Sequence, residues 1–486
     1  MMTLGNLIRL YIERSGYTIY GIAKRANINR TTLQKILSGD RTPSQDFMSK
    51  LLPILKLTPA EYSNLLTLFE IQQVGEALYG QRQYIKQLME FISDIDDHDT
   101  CINFPLTISK PYLSYDTKSP QMIQGIMNIE HAVILLMMEE CKHSAPMMQI
   151  NIPGHAELIH KLFIHCTQYG SNYQGLTVRH LTSFIKNPSN TSTPFINLNV
   201  LANTLPFICL SAFKYDIYYY YDSRLPNDQE RTAFPYYILC TNGILFLSGD
   251  SKTALLCRGA ELIHHFQNQF DESLHNAIPL ITSCCQKEEV LPNVIYPDYK
   301  EDPVYLLKYQ PCLITYMTEK QLIDYFNSAI PNCRNYGPSI RYHIQQMHDM
   351  EYTCFFSKAG LLDFTANGIF SNDSLNEIPA IKTQDRLFLL ESLYKMIESD
   401  RQNHRMINPV TFSLSERLAI TLRSNYFLDF NYKNLLKTQC SCIHLTEGTL
   451  VEAFSDFFSY LGHSLYVYSK EDTLTCIREC IEHLRA

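Results

Sequence analysis

Tryptophan is absent from this sequence of 486 residues, and no apolar run approaches the ~18 residues that a membrane-spanning helix needs. The longest apolar run, 131–138 (HAVILLMM), is too short to cross a bilayer. The N-terminus has neither the basic start nor the apolar core of a secretory signal peptide. We therefore expect a soluble, cytoplasmic protein that does not insert into membranes.

Motifs that commonly carry catalysis or hold a cofactor are missing as well. There is no Gly-rich phosphate loop, no G-x-G-x-x-G and no G-x-S-x-G. The His-x-Lys signature of phospholipase-D-like enzymes is also missing, because His160-Lys161 lacks the spacer residue. The sequence therefore predicts a protein that is not an enzyme and binds no cofactor.

The fifteen cysteines are scattered and odd in number, and no export signal precedes them, so we predict reduced thiols rather than disulfides. Two groups of Cys and His would each share one face of a predicted strand or helix and could bind zinc if those faces met. They are Cys440, Cys442 and His444, and Cys476, Cys480 and His483. Cysteine is more commonly buried as a small apolar residue, so we predict no metal site.

The stretch from Thr18 to Pro43 carries the most specific pattern in the chain. Thr18 and Asn29 are good caps for two short helices, and Asn27 lies where the chain must turn with a left-handed backbone. Leu33, Ile36 and Leu37 form an inner stripe on the second helix, which should end before Gly39. This spacing predicts a helix-turn-helix.

The pattern T-x-x-x-I-A-x-x-x-x-I-x-x-x-x-L-x-x-I-L-x-G-x-R-x-P-S from Thr18 to Ser44 resembles the XRE family of lambda-repressor/Cro-like helix-turn-helix domains. Leu55-x-Leu57-Thr58, Glu61 and Leu65-Leu66 extend the resemblance, which covers roughly residues 3–70. It implies a five-helix DNA-binding domain, with a helix at 4–15 and capping boxes at Thr42–Gln45 and Thr58–Glu61 starting the last two helices. Ile19 and Gly21 depart from the family pattern.

A helix lying in the major groove meets base edges with its N-terminal turn and its outer face. The predicted base-reading residues are Arg30, Thr31, Thr32, Gln34 and Lys35. The predicted phosphate-binding residues are Thr18, Lys24, Arg25, Asn29, Ser38 and Arg41.

Charge supports the same division of the chain. Residues 1–70 contain nine Lys/Arg and five Asp/Glu, a net charge of +4, whereas the remainder has 32 basic and 44 acidic residues, a net charge of −12. A basic head on an acidic body is typical of a protein that touches DNA at one end only.

The predicted fold is multidomain: an all-α head of five helices and an α/β body with two possibly similar halves. The predicted boundaries are 1–70 for the head, 71–120 for a helical connector and loop, and 121–290 and 291–486 for two α/β domains. The connector could pair with a second copy or pack on its own body. Predicted elements include one helix over Gln121–Cys141, a hairpin turning at Thr241–Gly243, and a strand over Ser464–Tyr468.

Together these features indicate a sequence-specific DNA-binding transcriptional regulator, whose body senses something or mediates assembly. Its predicted partners are double-stranded DNA, a second copy in a homodimer, and a small-molecule or peptide effector. The alternative is an enzyme or partner-binding scaffold that the head recruits to DNA. The aromatic run Tyr218–Tyr221 could line a pocket, but a strand covered on both faces explains it better.

Overall fold

The computed structural model describes residues 3–94, 120–187, 195–209, 213–222, 233–284, 303–326, 352–370, 379–433 and 440–486. Its contacts divide the chain into two compact units. The first comprises Met1–Ser93, Gln286–Asn425 and Glu452–Ala486, and the second comprises Asp94–Cys285 and Tyr426–Val451. Among the described helices, none is both long enough and apolar enough to cross a membrane.

The described residues contain the following α-helices, in chain order: α1 Leu4–Arg14, α2 Ile19–Arg25, α3 Arg30–Ser38, α4 Gln45–Leu51, α5 Pro59–Val74, α6 Glu76–Asp94, α7 Ile126–Glu140, α8 Glu157–Tyr169, α9 Ile196–Cys209, α10 Ala260–His275, α11 Glu319–Phe326, α12 Lys358–Asn367, α13 Thr383–Glu398, α14 Gly448–Leu461 and α15 Lys470–Arg485. A short 3-10 turn, Leu52–Ile54, follows α4.

The strands are β1 Gln121–Gln124, β2 Met147–Asn151, β3 Thr177–Phe184, β4 Lys214–Tyr221, β5 Tyr236–Cys240, β6 Gly243–Leu247, β7 Thr253–Cys257, β8 Ile278–Pro279, β9 Thr282–Cys284, β10 Val304–Lys308, β11 Tyr352–Ser357, β12 Asn403–Ile407, β13 Leu418–Arg423, β14 Phe427–Lys433 and β15 Cys440–Leu445. All-helical structure up to α6 and mixed structure after it confirm the predicted fold class.

The sheet of the second unit has eight strands in the order β1-β7-β6-β5-β2-β3-β4-β8. Its centre is parallel, since β2 pairs with β3 and β3 with β4 in the same direction. The predicted hairpin is confirmed: β5 and β6 are antiparallel, and Cys240 pairs with Gly243 across the turn. Phe270 of α10 is buried in an apolar cluster with Leu239 and Ile244.

The four strands that belong to the first unit lie in the order β12-β11-β10-β13. Here too three strands are parallel, and β13 runs antiparallel beside the first of them, β10. In the second unit β5 has the same relation to β2. The two units thus share one arrangement of four strands, which supports the prediction of two similar α/β halves.

Two predicted elements of the body are wrong. Residues 121–124 form β1 rather than the first turn of a helix, because they pair with β7, and α7 begins after Gly125, which has φ 86°. Residues 464–468 form no strand beyond a single bridge between Ile407 and Val467. The helix α9 and the strand β7 were not predicted.

The structure also bears on the predicted connector, on the loop that follows it and on the tyrosine run. The connector breaks at Gly75, with φ 84°, and continues as α6. The loop part of the predicted connector, over 94–120, lies almost wholly outside the described residues. Tyr219 is buried within β4, which has β3 on one side and β8 on the other. Tyr218 and Tyr220 are half-buried and Tyr221 is exposed, so the run is not covered on both faces throughout, and both explanations of it stay open. The domain boundaries stay a prediction.

Candidate nucleic-acid interface

The helix-turn-helix is built by α2 and α3. The Thr18 side chain accepts a hydrogen bond from the backbone N–H of Gly21 at 3.0 Å and so caps α2, as predicted. Asn27, after the helix, has φ 51°, the left-handed conformation that the sequence predicts for this turn. The Ile28 N–H then bonds back to the Ala23 carbonyl at 3.0 Å and closes the corner.

Both ends of α3 follow the predicted signals. Asn29 Oδ1 accepts hydrogen bonds from the backbone N–H of Thr31 at 2.8 Å and of Thr32 at 3.2 Å. At the other end Gly39 has φ 84°, a conformation that residues with a Cβ rarely adopt. The ends of α3 are therefore fixed by its own sequence.

The inner face of α3 anchors it in the head. Leu33 has 0% exposure, and Ile36 and Leu37 are also buried. Gly5 of α1 permits a close approach, since a Cβ at that position would lie 2.6 Å from the Ile36 carbonyl oxygen. The inner face of α1 is buried as well, through Leu4, Leu7, Ile8, Tyr11 and Ile12.

The outer face carries the predicted base-reading residues. Arg30, Thr31, Gln34 and Lys35 are exposed, and Thr32 is half-buried. Within the described part of the chain, the side chains of Arg30 and Lys35 form no hydrogen bond and no ion pair. Both cations therefore remain available to an incoming ligand, Arg30 from the first turn of α3 and Lys35 from its outer face.

The predicted phosphate-binding residues differ in how far their side chains are already bonded within the head. All six are exposed, but only some have side chains that are not engaged elsewhere. Arg25 donates a hydrogen bond to the Tyr17 hydroxyl at 2.8 Å, and its guanidinium carbon lies 4.4 Å from the centre of that ring. Tyr17 thus holds a cation at the end of α2. The sequence did not predict this role, because Tyr17 precedes α2 and Arg25 lies at its other end.

Other members of that set are partly occupied by local bonds. Thr18 and Asn29 use side-chain oxygens as helix caps. The Ser38 hydroxyl lies 2.6 Å from an Asp40 carboxylate oxygen, and that negative charge opposes a phosphate there. The phosphate roles of Thr18, Lys24, Arg25, Asn29, Ser38 and Arg41 stay predictions.

The start of α4 corrects one predicted capping box. Its cap is Ser44, whose hydroxyl accepts from the Phe47 N–H at 3.2 Å, and not Thr42. Pro43 precedes the helix instead of opening it; it is buried, and its carbonyl accepts a bond from Gln73 Nε2 at 2.8 Å. The second predicted capping box, Thr58 with Glu61, is confirmed at the start of α5.

Glu61 also joins α5 to α1. Its carboxylate forms a two-pronged ion pair with Arg14, in which Arg14 Nη2 lies 2.8 Å from Oε2. The hydrogen bonds from Arg14 and from the Thr58 backbone lower the pKa of Glu61 to about 2. The surface of the head thus contains cations that are already paired, such as Arg14, beside the unpaired cations of α3.

The Cys and His groups considered for zinc have other surroundings. Cys476 and Cys480 are buried in an apolar cluster with Leu389 and Leu393. His444 Nδ1 lies 2.6 Å from Asp429 Oδ1, and that hydrogen bond raises the pKa of His444. In the described ranges no group of three or more His, Cys, Asp or Glu side chains is placed to hold a metal ion.

Similarity to known proteins agrees with the geometry of the head. The head has five helices. Its α2 and α3 are joined by a tight turn, and α3 is capped and exposes its outer face, an arrangement that defines a helix-turn-helix domain. Residues 8–62 match the family HTH_3, described as helix-turn-helix. The N-terminal domain is therefore an XRE-family helix-turn-helix domain. No curated protein matches the chain.

Three solved structures are similar to parts of the chain, at TM-scores too low to establish a shared fold. TrmBL2, an archaeal chromatin protein, is 13% identical, with 57% of this chain and 100% of that chain covered and a TM-score of 0.21. Phosphatidylserine synthase of Haemophilus influenzae is 9% identical, with 77% and 95% covered and a TM-score of 0.25. Polyphosphate kinase of Porphyromonas gingivalis is 10% identical, with 76% and 56% covered and a TM-score of 0.21.

Proposed function

We propose that this protein is a sequence-specific DNA-binding transcriptional regulator that reads its operator with α3. The observation that carries the proposal is the contrast between the two faces of this helix. Leu33 is fully buried, whereas Arg30 and Lys35 are exposed and have no side-chain partner in the described part of the chain. The match of residues 8–62 to a helix-turn-helix family supports it.

The chemistry of the outer face suits the major groove. Arg30 and Lys35 can donate to O6 and N7 of guanine, and the Thr31 methyl can pack on the C5-methyl of thymine. Gln34 and Thr32 flank these residues and would extend the reading by one base pair each. Arg30, in the first turn of α3, is the residue on which we expect discrimination to depend most.

Phosphate contacts would hold the head in register. Lys24 and Arg41 flank α3 and are exposed, and Arg25 is steadied by Tyr17. Because each phosphate contact releases a counterion, Lys24→Ala should reduce the slope of log K against log salt by about one, on every DNA sequence. An unchanged salt slope would remove Lys24 from the phosphate-binding set.

The proposal gives the α/β body a sensing or oligomerisation role and no catalytic activity. Helix-turn-helix readers commonly dimerise, so that two recognition helices meet successive major grooves one turn apart. We infer a cytoplasmic homodimer in which a small-molecule or peptide effector favours one placement of the two heads.

The test is selection of bound sites from a pool of random DNA duplexes by the purified full-length chain. We expect an enriched sequence containing two related half-sites about 10 bp apart, and two chains per duplex in sedimentation. Genome-wide recovery of bound DNA would then name the neighbouring genes. A pool that shows no enrichment after repeated rounds would overturn the proposed function, and one half-site with one chain would overturn the homodimer.

A further inference from the structure

Glu70, near the end of α5, is a carboxylate buried to 3% exposure. Two tyrosine hydroxyls donate to it: Tyr460 at 2.6 Å from Oε1 and Tyr466 at 3.0 Å from Oε2. Tyr460 lies on α14 and Tyr466 shortly after it, both in the α/β part of the first unit. A residue of the last helix of the head is thus bonded directly to the body.

The next helix adds further polar contacts at the same place. Arg82 of α6 forms a two-pronged ion pair with Asp456 of α14, at 2.8 Å and 2.9 Å. Its guanidinium carbon also lies 4.0 Å from the centre of the Tyr460 ring. Gln83 donates to the Tyr466 hydroxyl at 2.5 Å. We call Glu70, Arg82, Gln83, Asp456, Tyr460 and Tyr466 the head–body junction.

A buried carboxylate is costly unless its oxygens are bonded. Burial raises the pKa of Glu70, and the bonds from Tyr460 and Tyr466 oppose that shift. Removing the two hydroxyls would leave the ionised Glu70 buried without the two donors that lie closest to its oxygens. The two hydroxyl donors therefore offset part of the cost of burying an ionised carboxylate at the junction.

Helix α5 connects this junction to the DNA-reading surface. It is continuous from the Thr58 capping box to Val74, and its Leu65 and Leu66 are buried. Its first turn is tied to α1 through Glu61, and Gln73, near its end, donates to the carbonyl of Pro43 before α4. Any rotation of α5 about the junction would therefore carry the whole head with it.

We propose that Glu70 is a positioning residue for DNA reading: the head–body junction fixes the orientation of the head on the α/β part of the first unit, so that displacement of α14 is transmitted through α5 to α3. The part of this inference that concerns DNA rests on the proposed function. The docking of the head does not, since it concerns contacts within the chain. Gly75, between α5 and α6, is the pivot about which a released head would move.

The test compares the full-length wild type with Tyr460→Phe/Tyr466→Phe, which removes two hydroxyls and keeps both rings. The readout is the amide line width of residues 3–58 in NMR spectra of the chain. A docked head tumbles with the rest of the first unit, whereas a released head tumbles as a small domain, so its rotational correlation time should fall by about a factor of two or more. An unchanged line width would overturn the inference.

Tyr325→Phe is the matched control. Tyr325 is a buried tyrosine of the same unit whose hydroxyl donates to a carboxylate, Asp385, at 2.5 Å, but it lies outside the junction. We expect this variant to leave the head signals as broad as in the wild type. Equal sharpening in both variants would mean that loss of any buried hydroxyl loosens the chain, and would also overturn the inference.

Rescue separates the charge from simple damage to packing. Glu70→Gln in the Tyr460→Phe/Tyr466→Phe background removes the buried charge, and the neutral amide can still accept from Gln83, whose Nε2 lies 3.5 Å from Glu70 Oε2. We expect the head signals to broaden again. If the double variant fails to fold, recovery of the folded chain by Glu70→Gln is the decisive readout, and no recovery contradicts the inference.

A DNA readout completes the test and keeps the two proposals distinguishable. Released heads should bind a single half-site within about twofold of wild type, because the α3 surface is untouched, but should lose the preference for one half-site spacing. If the wild type selects no DNA sequence, the proposed function fails while the line widths still test the junction. If spacing preference survives release of the head, the positioning role fails alone.

Discussion

On the outer face of α3, Arg30 and Lys35 stand in solvent without a side-chain partner in the described residues, whereas Glu70 in the same unit is buried between two tyrosine hydroxyls. The first arrangement leaves charge to be paired by a ligand. The second arrangement satisfies a charge internally and joins two parts of the chain. Polar residues of one unit are thus open to solvent in one place and bonded to another part of the chain in the other.

The same contrast occurs within α5. Glu61, paired with Arg14, has a lowered pKa, whereas burial raises the pKa of Glu70 on the following turns. Two carboxylates of one helix therefore respond to pH in opposite directions. The surface carboxylate stabilises the fold when it is ionised, and the buried one is stabilised when it is protonated.

The largest effect should come from the inner face of α3. Leu33→Ala removes a fully buried side chain, and we expect it to lower the free energy of unfolding of the head by about 2–5 kcal/mol. Gln34→Ala, on the outer face, should change it by less than about 0.5 kcal/mol. Hydrogen exchange in residues 3–58 of the full chain measures both. Equal effects of the two substitutions would remove the distinction between the faces.

Arg30→Ala should weaken DNA binding and leave the stability of the head almost unchanged. We expect binding to the selected site to weaken by about 1–3 kcal/mol, with relaxed discrimination at one base pair, because a side chain that donates to a base edge is lost. The stability of the head should stay within about 0.5 kcal/mol, since Arg30 is exposed. Binding isotherms on duplexes mutated at each position test this. A footprint and base preference identical to wild type would exclude Arg30 from the base-reading set.

A smaller effect is expected where the same helix is capped. Asn29→Ala leaves the N–H groups of Thr31 and Thr32 without their acceptor and should cost about 1 kcal/mol of head stability. Asn29→Ser keeps a capping oxygen and should cost much less. If Asn29→Ser were as destabilising as Asn29→Ala, the cap would not be the reason for the loss.

The smallest effect concerns the pH response of the head. The pKa of Glu61 lies at about 2 in the folded chain against an ordinary value of 4.5, so its contribution to stability is present above pH 4.5 and is lost as the pH falls through 2. Glu61→Gln preserves the capping box but not the ion pair, and should flatten the dependence of head unfolding on pH in that window. The measurement is the stability of the head in unfolding experiments from pH 5 to pH 2. If stability fell with pH equally in the variant and in the wild type, the ion pair of Glu61 would not be the cause.

The head could be predicted from the sequence because its signals are local. The Thr18 and Asn29 caps, the left-handed Asn27 and the stripe from Leu33 to Leu37 each depend on neighbours within one or two helical turns. The one error was the cap of α4, predicted as Thr42 and found to be Ser44. Both residues are of a type that caps helices, and they lie on either side of Pro43. The sequence could not show which of them the chain would use.

The body and the junction depend on distant partners. Residues 121–124 became a strand because β7, more than a hundred residues later, pairs with them. Glu70 and Tyr460 are 390 residues apart, and nothing in the sequence near Glu70 indicates that a carboxylate at the end of the predicted head is buried. The sequence left open whether the connector packs on its own body, and the contacts of Arg82 with Asp456 support that alternative.

The central claim is that the outer face of α3 reads base pairs rather than merely attracting polyanions. Its most direct test is equilibrium binding of the full-length chain to the selected duplex, to a scrambled duplex and to heparin in dilute and in physiological salt. We predict a preference for the selected duplex of about a thousandfold or more at physiological salt, lost in Arg30→Ala/Lys35→Ala. Equal affinity for all three polyanions, even in dilute salt, would contradict the account.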